Sequence, residues 1–334
     1  MGPTTFTELV GCEVPVQLAP MGGGIGSDEL VRAVAGAGAM AMVAFSSDGP
    51  VQVAARLDAL ADVAALGANV LLPFMEDPAV VTAIAERGRL VDFYHASPDA
   101  ALVERARREG VPVAWQVGTL DDARRALDAG VDLLVVRGEE GGGRLHGGRP
   151  LWPLLSDVLD TVDASGRPVP VLPAGGIASG RGLASALAAG AAGVRLGTVF
   201  VATDESGAHP RYKELLVAAA GGETVVTDEF SVWWPEGSRP CRVLRSALEL
   251  ARQLGDDEVV ARLGSEPDAM EIPARAVLPP GAIVDGDIDA MALYAGDGVG
   301  RITSIRPAAE VVAQVVAEAE ALLAGVGRAA AVSR

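Results

Sequence analysis

Eight short apolar runs, most followed by an Ala/Leu-rich amphipathic run, predict an α/β fold: a (β/α)8 TIM barrel with a smaller, partly helical lid subdomain inserted near the C-terminus. Two observations strengthen this. The runs are almost continuously apolar, as parallel strands covered on both faces require. The order helix, Gly, strand repeats at Gly110-Val111-Pro112-Val113 and at Gly130-Val131-Asp132. A doubly wound sheet is the rival, but it needs fewer strands and a switch point, so the count of eight favours the barrel.

The strand runs, in order, are VQLAP (16–20), AMAMVA (39–44), NVLLPF (69–74), VDFYH (91–95), VPVAWQV (111–117), VDLLVVRG (131–138), VPVLPAGG (169–176) and GVRLGTVF (193–200). The first helix begins at Ser27-Asp28-Glu29, an N-cap followed by acids in the first turn. Residues 54–66, 77–88, 97–110, 120–130 and 180–190 continue the helical pattern, and 206–219 supply the eighth barrel helix. The barrel thus occupies 1–220. Residues 221–290 mix Trp233, Trp234, prolines and acidic turns around a helix near 243–264, and read as the lid. Residues 291–325 hold the Gly-rich ALYAGDGVGRI (292–302) and a closing amphipathic helix (307–325), and 326–334 read as a frayed tail.

Half of the 334 residues are apolar, enough for a sizeable core. The net charge of −17 argues against nucleic acid and anionic membrane as partners. Two cysteines, Cys12 and Cys241, make neither a disulfide framework nor a CxxC metal pattern, which fits a reducing, cytoplasmic setting. The N-terminus lacks the basic and apolar regions of a signal peptide. No run reaches the ~18 apolar residues of a membrane helix. Three histidines, His95, His146 and His209, argue against a His-based zinc site, so no metal is expected. A small-molecule substrate is the expected partner, and a homodimer is left open.

Barrel active sites lie at the C-terminal ends of the strands, with phosphates after strands 7 and 8. There the chain is Gly-rich: Ala174-Gly175-Gly176 ends strand 7, and strand 8 carries Leu196-Gly197-Thr198. Glycine lets backbone N–H groups approach a phosphate, and Thr198 adds a hydroxyl. Strand 1 ends in Pro20-Met21-Gly22-Gly23, where a flat ring can lie against backbone. Asn69 opens strand 3 and Gln116 closes strand 5; amides in apolar runs need partners, which a heterocycle edge supplies. Phosphate, flat ring and amides together suggest FMN. No GxGxxG follows the first strand, so a dinucleotide fold is not indicated.

LAPMGGGIGSDELVRAVAGAGAMAMV, GANVLLPF, VVRGEEGGG, LPAGGIASGRGLASALAAGAAGVRLGTVFVATDES, CRVLRSAL and LYAGDGVGRI together resemble the nitronate monooxygenase family, formerly the 2-nitropropane dioxygenases. The FMN-dependent enoyl-acyl-carrier-protein reductase is its near relative. The resemblance runs from about residue 8 to 320, and its most specific part is AGGIASG…GVRLGT. It implies that Met21, Gly22 and Gly23 face the flavin ring and that Asn69 bonds it. It further implies that Gly175, Gly176, Gly197 and Thr198 hold the phosphate, and that Gly142 flanks the flavin.

The family loop after strand 6 reads roughly QG-x-EAGGHRG, with its histidine as base. Here Gly138, Glu140, Gly142 and Gly143 match, but Arg144 stands at the histidine. His146 follows after an apparent insertion of Leu145-His146, Arg137 replaces the family's first glutamine, and Arg195 replaces that of QMGT. Arginine stays protonated and cannot act as a base. Arg144 is therefore expected to bind a substrate's paired oxygens, with His146 the alternative base if the loop swings it inward. Arg137 and Arg195 are expected to add positive charge near the flavin. Plainer readings stand beside these. His146 is a solvated loop residue, His95 a structural histidine and His209 a surface one. Glu139 and Glu140 pair with Arg137 and Arg144. Trp233 and Trp234 pack lid on barrel, and Tyr294 touches flavin or substrate.

The leading expectation is FMN-dependent oxidation of alkyl nitronates by O2 to a carbonyl compound and nitrite. The alternatives are an NAD(P)H-dependent reductase of an enoyl thioester or quinone, and a family member repurposed within a biosynthetic pathway.

Overall fold

In the computed structural model, the described residues are 1–334 without 236, 238, 256, 266, 333 and 334, and without the side chains of 326–332. Eight parallel strands form the barrel. They are β1 (Val16–Leu18), β2 (Ala41–Phe45), β3 (Leu66–Leu71), β4 (Leu90–Tyr94), β5 (Val113–Val117), β6 (Leu133–Arg137), β7 (Val171–Ala174) and β8 (Val194–Leu196). They are ordered β1-β8-β7-β6-β5-β4-β3-β2. A parallel bridge from Gln17 to Met40 closes the ring.

Side-chain alternation explains why these runs are not purely apolar. Along β4, Val91 and Phe93 face outward into the core shared with the helices, while Leu90, Asp92 and Tyr94 face inward. Along β5 and β6, Ala114 and Gln116, then Leu133, Val135 and Arg137, follow the same parity. The interior therefore grades from apolar at the bottom, plugged by Phe6 and Val10 of the helix Thr5–Val10, to polar at the strand ends. Gln17, Asn69, Asp92, Gln116, Arg137 and Arg195 lie on the inward face, toward the end where barrel sites form, whereas Asp132, just before β6, points outward to Arg107.

Several boundaries differ from expectation. β3 starts at Leu66, so Asn69 sits mid-strand. Gly67 serves packing: a Cβ there would lie 2.6 Å from Met42 Sδ. The helix Leu151–Ser165 lies outside the expected runs; Pro150 and Pro153 stand at its start, where a missing N–H costs no helical bond. The expected helix near 243–264 is a short helix, Arg245–Ala251, followed by a strand, Val259–Leu263. Beyond the barrel, Thr224–Thr227 and Cys241–Leu244 form a small sheet with Gly143–Arg144 of the β6 loop. A second small sheet joins Val259–Leu263, Met270–Pro273 and Val284–Gly286. The closing helix spans Ala308–Val332, past the expected end at 325. The side chains of the expected frayed tail lie outside the described residues.

Candidate active site

A cavity of about 460 Å³ opens at the C-terminal ends of the strands. Its floor is a buried polar ring inside the barrel. Arg195 Nε donates to Gln17 Oε1 at 2.7 Å and Nη1 donates to Gln116 Oε1 at 2.8 Å. Arg195 Nη2 lies 3.1 Å from Asp92 Oδ1, a charge contact off the line of a hydrogen bond. Asn69 Nδ2 donates to Asp92 Oδ2 at 2.8 Å. Asp92 thus neutralises Arg195, which corrects the expectation that Arg195 adds free positive charge. Burying either ion alone would be costly; together they hold Gln116 and Asn69 in place.

The wall nearest β6 is the loop GEEGGGRLHGG (138–148), and its carbonyls are tied down. Arg137 Nη2 donates to the carbonyls of Gly142 at 2.6 Å and Gly141 at 3.2 Å, and Nε donates to Arg144 O at 3.2 Å. Tyr94 Oη donates to the same Arg144 carbonyl at 2.7 Å. Gly142 lets the loop touch the closing segment: a Cβ there would lie 2.6 Å from the Ala295 carbonyl carbon. Glu140 accepts from Leu151 N at 3.0 Å and so caps the helix Leu151–Ser165. Neither Glu139 nor Glu140 has an ion pair with Arg137 or Arg144 among the described residues, so the expected cluster is replaced by backbone capping.

Arg144 is 8% exposed. Its Nη1 donates to Arg239 O at 2.6 Å and to Ser231 Oγ at 3.3 Å, and its guanidinium lies 4.9 Å from the Trp234 ring centre. Its Nε and Nη2 are buried without a partner. These two atoms form the fork that suits a two-oxygen anion.

The two nearby histidines are spent elsewhere. His146 Nε2 lies 3.0 Å from Asp122 Oδ2, on the outer side, and His146 does not line the cavity. Burial alone would raise the Asp122 carboxyl, but bonds from His146 and Thr119 outweigh it and hold the pKa low. The alternative of His146 as an inward-swung base is corrected: Asp122 takes its ring. His95 is 3% exposed, with φ 73°, and its Nε2 lies 3.2 Å from Leu145 O. Burial, reinforced by nearby His146, lowers its pKa to about 3, so it is neutral. His209 caps the helix Pro210–Ala218, accepting from Arg211 N.

The remaining expected residues are distributed as follows. Pro20, Met21, Gly22 and Gly23 line the cavity from β1, and Asn69, Gln116 and Arg195 from below. Arg137, Gly142 and Arg144 line it from the β6 loop, Ala174, Gly175 and Gly176 from β7, and Gly197 and Thr198 from β8. Gly138 and Leu196 do not line it. Leu196 faces the outer core, and Gly138 packs tightly against Leu151. Gly175 and Gly176 have φ of 119° and 67°, the left-handed region that favours glycine. Among the described residues, the amides of Gly175, Gly176, Gly197 and Thr198 donate to no acceptor. Tyr94 was not among the expected site residues, although its parity with Asp92 on β4 marks it as inward-facing. Trp234 packs as expected, 5.2 Å from the Phe74 ring centre, but Trp233 lines the cavity and is 43% exposed. Tyr294 also lines the cavity.

The profile of the nitronate monooxygenase family matches residues 74–318, well over half of the chain. The chain belongs to the nitronate monooxygenase family. Like its relatives, this family member is an oxidoreductase. It is 28% identical to a nitronate monooxygenase of Pseudomonas aeruginosa, over 94% of this chain and 98% of that protein. It is 34% identical to a (3aS,4S,5R,7aS)-5-hydroxy-7a-methyl-1-oxo-octahydro-1H-indene-4-carboxyl-CoA dehydrogenase of Mycobacterium tuberculosis, over 73% of this chain and 67% of that one. FabK from Thermotoga maritima shares its fold at a TM-score of 0.76 and 26% identity, over 98% of this chain and 99% of that one. No helix among the described residues is long and apolar enough to cross a membrane.

Among the described residues, the cavity wall of this family member offers no ordinary proton acceptor. Its titratable lining residues are Arg137, Arg144, Arg195, Tyr94, Tyr212 and Tyr294; no Asp, Glu, His, Lys or Cys lines it among the described residues. Burial pushes all three phenols upward, so they stay protonated.

Proposed function

We propose that this family member binds FMN and oxidises preformed organic anions of the nitronate type. Free amides at Gly175, Gly176, Gly197 and Thr198, in a cavity of cofactor size, support the phosphate end of FMN. The exposed backbone of Met21-Gly22-Gly23 is where its ring would lie. Bound FMN supplies oxidation of the substrate, with O2 as the final acceptor. Overall, two nitronates and one O2 give two carbonyl compounds and two nitrites, so atoms and charge balance.

The observation that carries this reading is the pairing of a buried, unpartnered Arg144 fork with a cavity wall that, among the described residues, holds no base. A neutral nitroalkane must first lose an α-proton, and no lining group takes one. A nitronate arrives deprotonated, and Nε and Nη2 of Arg144 bind its two oxygens. Arg137 adds a fixed positive charge beside the fork. Trp234 and the bond to Arg239 O hold Arg144 rigid, so little side-chain freedom is lost on binding.

The test is anaerobic mixing of purified protein with propionate 3-nitronate, followed at the flavin band near ~450 nm. Prompt bleaching is expected, while nitroethane at the same pH leaves the band unchanged. An unchanged band with the nitronate overturns the proposal, and absence of any flavin band overturns the cofactor. A second reading, an NAD(P)H-linked reductase or dehydrogenase of a thioester, draws on the 34% identity to a carboxyl-CoA dehydrogenase. Bleaching by NADH with no response to nitronate selects it.

A further inference from the structure

The Trp233-Trp234 pair is divided by its backbone. Trp234 is 6% exposed and locked between Phe74, His95 and Arg144. Trp233 takes φ 71°, a left-handed conformation that a bulky residue adopts only when its surroundings impose it. Both flanks do impose it. Val232 bridges Ala276 and accepts from Val277 N, while Trp234 N donates to Ser231 O. The turn sends one indole into the wall and leaves the other 43% exposed on the cavity rim. The same rim carries Met270, 45% exposed, with Leu278 and Pro279. A large exposed aromatic held in a strained backbone, on a cavity rim that also carries the exposed Met270 and the half-buried Leu278 and Pro279, is the mark of a contact surface.

We infer that Trp233 is a specificity-determining residue: with Met270, Leu278 and Pro279 it forms an apolar vestibule that takes the aromatic or bulky alkyl body of an organic anion whose head sits on Arg144. This rests on Arg144 as the anion-binding group of the proposed function. The chemistry is divided along the substrate. The fork reads the charged end, and the vestibule removes the apolar end from water. Small nitronates then fill only the inner part of the site.

Isothermal titration calorimetry of the purified protein tests this with two unreactive carboxylates, 4-phenylbutanoate and butanoate. Burying the phenyl group against indole is expected to give at least about tenfold tighter binding of 4-phenylbutanoate. Trp233→Gly suits the left-handed backbone and so keeps the fold; it is expected to bring the affinity ratio below about threefold by removing the stacking surface. Trp233→Phe keeps an aromatic face and is expected to retain the preference. Equal affinities in the parent protein, or a preference that survives Trp233→Gly, overturn the vestibule. Failure of both carboxylates to bind also overturns it. None of these outcomes depends on flavin bleaching by propionate 3-nitronate, which judges the proposed function separately.

Discussion

Replacing Arg144 by Met removes the guanidinium but keeps an unbranched apolar stem to lie against Trp234. Two guanidinium nitrogens, Nε and Nη2, are buried without partners. A charge-assisted hydrogen bond contributes about 1.5–3 kcal/mol. The side chain is already fixed by Arg239 O at 2.6 Å and by Trp234 at 4.9 Å, so ordering takes little from this gain. Allowing for desolvation of the anion, the pair together contributes about 3 kcal/mol, or about 100- to 200-fold in kcat/KM. Arg144→Lys keeps the charge without the fork and is expected to lose about tenfold. The assay is stopped-flow bleaching by propionate 3-nitronate over a range of concentrations. With no proton acceptor on the wall, the parent rate is also expected to be flat from about pH 6 to about pH 9. An Arg144→Met protein within about threefold of the parent would refute the reasoning, because an unspent buried fork would then carry no binding.

Three further outcomes follow from the geometry. His95 has its pKa lowered from 6.5 to about 3, so its contribution to stability is present above pH 6.5 and is lost as pH falls toward 3. The loss is about 1.4 kcal/mol per pH unit, and His95→Asn, which tolerates the left-handed backbone, is expected to flatten this acid limb in urea titrations. Asp92→Ala leaves Arg195, 2% exposed, without its counter-ion and is expected to cost about 3–5 kcal/mol, whereas the double change Asp92→Leu, Arg195→Met recovers most of it; a double change as unstable as the single refutes the account. Gly142→Ala places a Cβ 2.7 Å from Gly296 N and is expected to cost about 1–3 kcal/mol and to reduce flavin retention through dialysis; an unaffected protein means that the loop does not press on the closing segment.

Much of the barrel was legible because each strand had to supply an outward face to the helices and an inward face to the barrel. Asn69 and Gln116 stood out as polar residues in apolar runs for that reason, and Arg195 through the family resemblance. Their partner Asp92 was harder to see. An acid beside Val91 and Phe93 looks like a strand end until β3 and β4 are paired in register, which sets Asn69 beside Asp92. His146 shows the opposite limit. Its position in the loop matches a catalytic role, but its ring is claimed by Asp122 in the first turn of the helix Leu120–Ala129, a contact that spacing along the chain does not encode. Beyond the barrel, Ala/Leu-rich composition suggested a long helix near 243–264. Gly255 interrupts that run, and the following segment pairs as a strand with Met270–Pro273. Local propensity is a weak guide where a short strand gains a partner.

Glycine content gives a false impression of the loop at 138–148. Consecutive glycines suggest a flexible segment, yet its carbonyls at Glu139, Gly141, Gly142, Arg144 and Leu145 are each met by a side chain: Arg242, Arg137 or Tyr94, and His95. Side chains would collide with the closing segment at Gly142, with Leu151 at Gly138 and with Arg137 at Gly141, while Gly143 and Gly147 take the left-handed backbone that favours glycine. A loop so fully bonded cannot swing a histidine inward without breaking several buried hydrogen bonds, each costly to leave unmade. The positions around the cavity therefore act together. His146 is committed to a helix outside the cavity, His95 is neutral and buried, and the place proposed to meet the substrate holds an arginine that never gives up its proton. Acid–base capacity has been exchanged for fixed positive charge. Such a wall suits a substrate that arrives already deprotonated, and it leaves selectivity to the shape of the anion and to the apolar rim that meets the rest of the molecule.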